Sequence, residues 1–145
     1  MATTNVINGT LAVLKTGTDH ATATAFAFST SASISLSMDT RDISNKSSAG
    51  WRELLEAQMS WSASLEGLYA IEDAAAAPVK NYDELYDLLT SRTNTFLELS
   101  TGVTGDFYYY GKVYLTSLEQ SAPLEDNMTF SATFEGTAAL TKGTI

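Results

Sequence analysis

One histidine and no cysteine set tight limits on the chemistry open to this chain of 145 residues. His20 follows Gly17, Thr18 and Asp19, a turn-forming setting that predicts a surface residue rather than a general base or ligand. Without cysteine there is no Cys–His pair, thiolate metal site or disulfide framework. Serines are plentiful, but a serine nucleophile needs an activating base, and His20 is the one usual candidate. Neither a Gly-rich phosphate loop nor a G-x-S-x-G elbow occurs. Asp39 and Asp42 could pair as carboxylates, yet Arg41, Lys46 and Arg52 stand nearby, favouring a structural ion-pair cluster over a general acid. Tyr108, Tyr109, Tyr110 and Tyr114 could stack on bases or sugars, although strand aromatics more often serve a core or an interface. The residues predict no catalysis, no metal and no cofactor.

Composition narrows the class further. Hydrophobic residues make up 44% and charged residues 17%, a globular balance at a length suited to one domain, 1–145. The formal net charge is -9, which makes gripping nucleic acid unfavourable and suits a surface that repels it. No apolar run reaches the roughly 18 residues of a membrane span, and the N-terminus shows no signal-peptide pattern. The expectation is a soluble protein made in the cytoplasm, with no membrane partner.

These residues sit in a chain patterned mainly for strands. A loose arm is expected over 1–9, then a first strand over Thr10 to Lys15. From Phe26 to Met38 the alternation is strict: Phe26, Phe28, Ala32, Ile34, Leu36 and Met38 on one face, serines on the other. A second alternating strand is predicted over Trp61 to Tyr69, with Gly67 a possible bulge and Leu54 to Ser60 a short link before it. Ala74 to Pro78 reads as a connector. Asn81 as cap and Glu84 three residues on predict a helix over 81–91, striped by Tyr82, Leu85, Tyr86 and Leu89. Three further strands are expected over Thr95 to Ser100, Asp106 to Glu119 and Asn127 to Leu140, with a weakly ordered tail at 141–145. The class is α+β, mainly antiparallel sheet with one flanking helix and a long inter-strand loop.

That loop, Asp39 to Glu53, holds Arg41, Lys46 and Arg52 among the eight basic residues, interspersed with Asp39, Asp42 and Glu53. Loops of this length tend to be functional or disordered, and Trp51 offers a large anchor. A charged arm that pairs with a neighbour fits these residues, and a solvated loop is the bland alternative.

The run from Ser33 to Tyr69 resembles the major tail tube proteins of long-tailed bacteriophages. In that family an alternating strand leads into D-T-x-D-[IV]-[ST]-x-K-[DS]-S-x-G-W-x-E and then W-S-x-S-x-x-G-L. Asp39, Thr40, Asp42, Ile43, Ser44, Lys46, Ser48, Gly50, Trp51 and Glu53 match the first pattern. Trp61, Ser62, Ser64, Gly67 and Leu68 match the second. The match covers roughly a quarter of the chain, and Glu56-Ala57-Gln58-Met59 stands where a Pro-Gly or Ala-Gly turn is expected.

The resemblance implies a tail-tube β-sandwich or barrel whose subunits form hexameric rings stacked into a hollow tube. It implies no enzyme activity, a place in the virion tail after assembly in the host cytoplasm, and passage of DNA without specific binding. Partners implied are further copies of itself, the tape-measure protein, and the tail terminator and distal tail proteins. Asp39, Arg41, Asp42, Lys46, Trp51, Arg52 and Glu53 become an inter-subunit assembly loop. Glu66, Glu98, Glu119 and Glu135, each on an expected strand, become candidates to face the lumen. The alternatives are a related component (tail terminator, contractile-system inner tube, gene-transfer-agent tail protein) or a β-sandwich carbohydrate-binding module of a virion, with the tyrosines near Tyr108 as its face.

Overall fold

The period-2 pattern of apolar and hydroxyl side chains produces long strands in which every pairing is antiparallel. A computed structural model describes Gly9 and residues 12–26, 29–69 and 82–145. Its strands are β1 Val13–Gly17, β2 Thr24–Ala25, β3 Ser29–Asp42, β4 Leu54–Leu68, β5 Thr95–Ser100, β6 Phe107–Ser121, β7 Thr129–Gly136 and β8 Thr141–Thr144, with helix α1 at Tyr82–Ser91. They join one sheet in the order β2-β1-β5-β6-β7-β4-β3, and β8 pairs with the first residues of β6. β6 is shared: Tyr109 to Val113 pair with β5, while Val113 to Ser121 pair with β7. One strand thereby serves two parts of the sheet.

The apolar face forms the core. Leu14, Leu65, Leu97, Val113 and Phe134 are buried from the sheet side, and Leu85 of α1 closes over them. Each such side chain contributes roughly 1.5–3 kcal/mol through burial. Trp61 anchors the middle of β4: its ring is buried, and Nε1 donates to the Ala138 carbonyl at 2.9 Å. The indole lies so close to Gly111 and Gly136 that a Cβ there would fall 2.6 and 2.2 Å from ring atoms, which only glycine permits.

Several expectations from the sequence are revised. Leu54 to Ser60 is not a link; it is the first half of β4, paired with Ser37 to Asp42 of β3. The strands therefore run past their apolar pattern, and the connecting tip shortens to 43–53. The tail is ordered as β8, because its backbone completes the exposed side of β6 at Phe107 to Tyr110. The bulge near Gly67 falls on the opposite strand, at Thr30 between Ser29 and Ser31. Helix α1 forms as predicted, with Tyr82, Leu88 and Leu89 on the core, but Tyr86 is exposed and Leu88 takes its place. Phe28, the Asn81 cap, the Ala74 to Pro78 connector and nearly all of the 1–9 arm lie outside the described residues.

Candidate assembly surfaces

The arm is the far half of the β3–β4 hairpin. Leu36 lies opposite Trp61, and Met38 opposite Met59, so the core-facing side of the hairpin continues outward beyond the core. There it is uncovered: Leu36, Met38 and Met59 are half or more exposed, and Leu54 nearly so.

The tip holds its own shape through local hydrogen bonds. Asn45 caps a short 3-10 turn at Lys46–Ser48, with its Oδ1 accepting from the Ser47 amide and Ser48 Oγ accepting from the Asn45 amide. Ala49 and Gly50 both take left-handed backbone conformations to reverse the chain. Ile43 N–H donates to the Glu53 carbonyl at 2.9 Å, and the Glu53 amide donates to Ser44 Oγ at 2.7 Å, closing the base of the tip. Asp42 accepts from the Ser44 amide and faces Arg52 at 3.6 Å. Its carboxyl is held below the usual range first by the hydrogen bonds from Ser44 and then by Arg52. Trp51 is 80% exposed. Among the expected loop residues, Asp42, Arg52 and the Glu53 backbone are brought together. Asp39 and Arg41 stand exposed on β3, and Lys46 is exposed in the 3-10 turn.

The second surface is the outward face of β3, β4, β7 and β6. Ser33 and Ser64 hydroxyls meet at 2.6 Å and Ser37 and Ser60 at 2.9 Å, tying β3 to β4 by a ladder of hydroxyls. Register places Glu66, Ser131 and Glu119 in one row across β4, β7 and β6, and Ser62, Glu135 and Tyr114 in another. Glu66, Glu119 and Glu135 are all exposed. Glu66 and Glu119 flank a hollow of about 300 Å³ with Ser131 and Phe130 between them.

Glu98 departs from the expectation. It is fully buried, because the turn after β1 folds over it, and its Oε2 meets His20 Nδ1 at 2.6 Å. The imidazole stacks on Tyr108 at 4.4 Å, and Tyr108, Tyr110 and Phe96 extend the aromatic cover. Asp19 stabilises that turn by accepting from the Thr22 amide and hydroxyl, which lowers its pKa. His20, expected to be a plain surface residue, is thus the exposed partner of a buried acid. No pattern in the sequence marks that pairing, since 78 residues separate the two. The tyrosines divide likewise: Tyr108 and Tyr110 cover Glu98, while Tyr109 and Tyr114 are exposed.

Comparison with known proteins decides what kind of molecule carries these surfaces. The family model for phage tail tube proteins matches residues 7–142, nearly the whole chain. The chain belongs to that family. It is a structural protein of the virion tail and not an enzyme. The chain is similar to a subunit from the tail of an empty gene transfer agent particle with C6 symmetry, at TM-score 0.75 and 20% identity, covering 94% of this chain and 98% of the other. The SPP1 tail tube gives TM-score 0.75 at 14% identity, over 97% of this chain and 80% of the other. A sheath–tube complex of an extracellular contractile injection system gives 0.65 at 17%, over 97% and 93%. At such identities the likenesses establish the fold, a mainly antiparallel tail-tube sheet with one helix. No curated protein matches the chain.

Proposed function

We propose that six copies of this tail tube protein close into a ring, that rings stack into a tube, and that DNA is delivered through its bore. The observation that carries this reading is a pair of free strand edges. Among the described residues, the four-strand unit β3-β4-β7-β6 ends on one side at β3 Ser29–Asp42 and on the other at β6 beyond Val113, where Tyr114 to Ser121 pair only with β7. Long unpaired edges invite pairing with another chain, and closure into a barrel removes them. β3 of one copy against β6 of the next does so, and the C6 symmetry of a similar tail supports six copies. Twenty-four strands, four from each of six copies, at about 4.8 Å spacing and tilted by up to about 45° make a barrel roughly 35–50 Å across its backbone. That leaves room for a double helix.

The hydroxyl-rich face with Glu66, Glu119 and Glu135 then lines the bore. It offers phosphates carboxylates and small dipoles, with cations only toward its margins at Arg41 and Lys112, so DNA and the tape-measure protein slide rather than stick. The arm, with Asp39, Arg41, Asp42, Lys46, Trp51, Arg52 and Glu53, bridges neighbouring copies or successive rings. Terminator and distal tail proteins cap the ends.

Electron microscopy of the purified protein at high concentration tests the reading: rings or tubes support it, and a persistent monomer overturns it. Deleting Ile43 to Ala49 should leave a folded monomer that forms no tubes; normal polymerisation would remove the arm from the scheme. Reversing Glu66, Glu119 and Glu135 to lysine together should slow DNA ejection from assembled tails. Unchanged ejection would show that these acids do not line the path.

A further inference from the structure

The two ends of the long sheet carry features that fit each other. At one end the turn at residues 122–127, between β6 and β7, projects Leu124 with 94% of its surface exposed. Glu125 and Asp126 follow it, and the turn contains no basic residue. At the other end the arm tip has a shallow hollow of about 440 Å³, lined by Asp42, Ser44, Asn45, Gly50, Trp51 and Arg52. Register fixes their separation. Leu68 of β4 pairs with Thr129 beside the turn, and Leu54 pairs with Asp42 beside the hollow. The length of β4 therefore stands between them, roughly 45 Å at about 3.3 Å per residue.

We infer that the 122–127 turn of one copy seats in the arm-tip hollow of a second copy, joining them head to tail. This rests on the tube reading above and names the partner surface that the arm takes. Leu124 and Trp51 are the two most exposed large apolar side chains among the described residues, one projecting and one lining a hollow. One exposed apolar side chain is ordinary by itself; what joins these two is shape, a projection at one end and a hollow with Trp51 in its lining at the other.

Charge selects the same pairing. The chain carries -9, so most contacts between two copies bring acids together. The arm segment 39–53 holds the densest group of bases, three against three acids. Glu125 and Asp126 approach Arg52 and Lys46 there, while Asp42 is already engaged by Ser44 and Arg52. A contact between different surfaces at opposite ends of a subunit does not close on a pair; it repeats along an axis. That is the property a stacked tube needs.

Two variants test it. Leu124→Asp spoils the projection and keeps the hollow; Trp51→Ala spoils the hollow and keeps the projection. Both sites are exposed, so each variant should melt like the native chain. Neither alone should grow past a single ring, with long tubes reduced at least tenfold under electron microscopy. Rings of each variant, formed separately and then mixed in equal amounts, retain one sound interface and should form pairs, one ring of each variant, and nothing longer. Tubes of ordinary length from Leu124→Asp would overturn this contact and leave the tube reading intact. A mixture that gives no ring pairs, or tubes of unlimited length, would overturn the head-to-tail arrangement. Failure of the native chain to form rings or tubes at all would overturn the tube reading and this contact with it.

Discussion

β4 is one continuous strand whose two halves obey different rules. From Trp61 to Gly67 every second residue is buried, against the sheet, α1 and the close glycines. From Leu54 to Ser60 none is buried, although Leu54, Leu55 and Met59 are as apolar as the residues further on. The hydrogen-bonded ladder to β3 runs through both halves, with register shifts at Thr30 and just past Met38. What differs is the company: the inner half pairs with β7 on its second edge and packs into the core, while among the described residues the outer half pairs with β3 alone. Alternation tells which side of a strand is dry in the finished assembly. It does not tell whether the cover comes from the same chain.

The inner half is the more sensitive to substitution. Phe134→Ala removes a fully buried ring and should cost about 3–5 kcal/mol, read as a large drop in unfolding midpoint. A loss below about 1 kcal/mol would mean that the inner half is not the main source of monomer stability. Gly136→Ala drives a methyl into the Trp61 ring and should cost about 1–3 kcal/mol by denaturant titration, with indole fluorescence altered.

His20→Ala tests whether exposure alone predicts silence. His20 is more than half exposed, yet its loss strips Glu98 Oε2 of its partner when Oε1 already has none among the described residues. The expected cost is about 1–3 kcal/mol, more than Glu98→Met, which removes the buried carboxyl group along with its need for a partner. Equal effects would mean that the pair carries no coupling.

Met59→Ser sharpens the other side. The monomer should keep its stability within about 0.5 kcal/mol, while polymerisation falls. Destabilised monomer with normal tubes would reverse the roles assigned to the two halves. The smallest effect concerns Asp42. Its folded pKa is depressed, so the brace it supplies is present above the ordinary carboxylate value and lost as pH falls through the lowered one. An NMR titration should therefore find Asp42 changing charge at lower pH than an unstructured aspartate.

Much of the fold was legible because alternation and caps are local. The strand faces around Ala32 to Met38 and Trp61 to Leu65, the helix at Tyr82, and the strand beginning near Thr95 all follow from side-chain period. The first half of β4 was hidden, since Glu56, Gln58 and Ser60 read as a polar link and pair only because β3 continues beside them. β8 was hidden for the same reason: Thr141 to Thr144 carry no apolar pattern and gain order from the backbone of β6. Among the candidate acids, Glu66, Glu119 and Glu135 could be placed on strands from their spacing, but burial of Glu98 depends on a turn folding over from β1.

By itself, the sequence determined the strand faces, the absence of a thiolate or multi-histidine site, the acidic balance and the D-T-x-D…G-W-x-E signature of the arm. These are properties of composition and short range, where side-chain chemistry and a two-residue repeat suffice. Only the tertiary structure decided which strand edges stay free, that His20 reaches Glu98, and that Leu124 and the Trp51 hollow lie at opposite ends of one sheet. Those depend on strand register across dozens of residues, and register follows from how all the strands satisfy one core together.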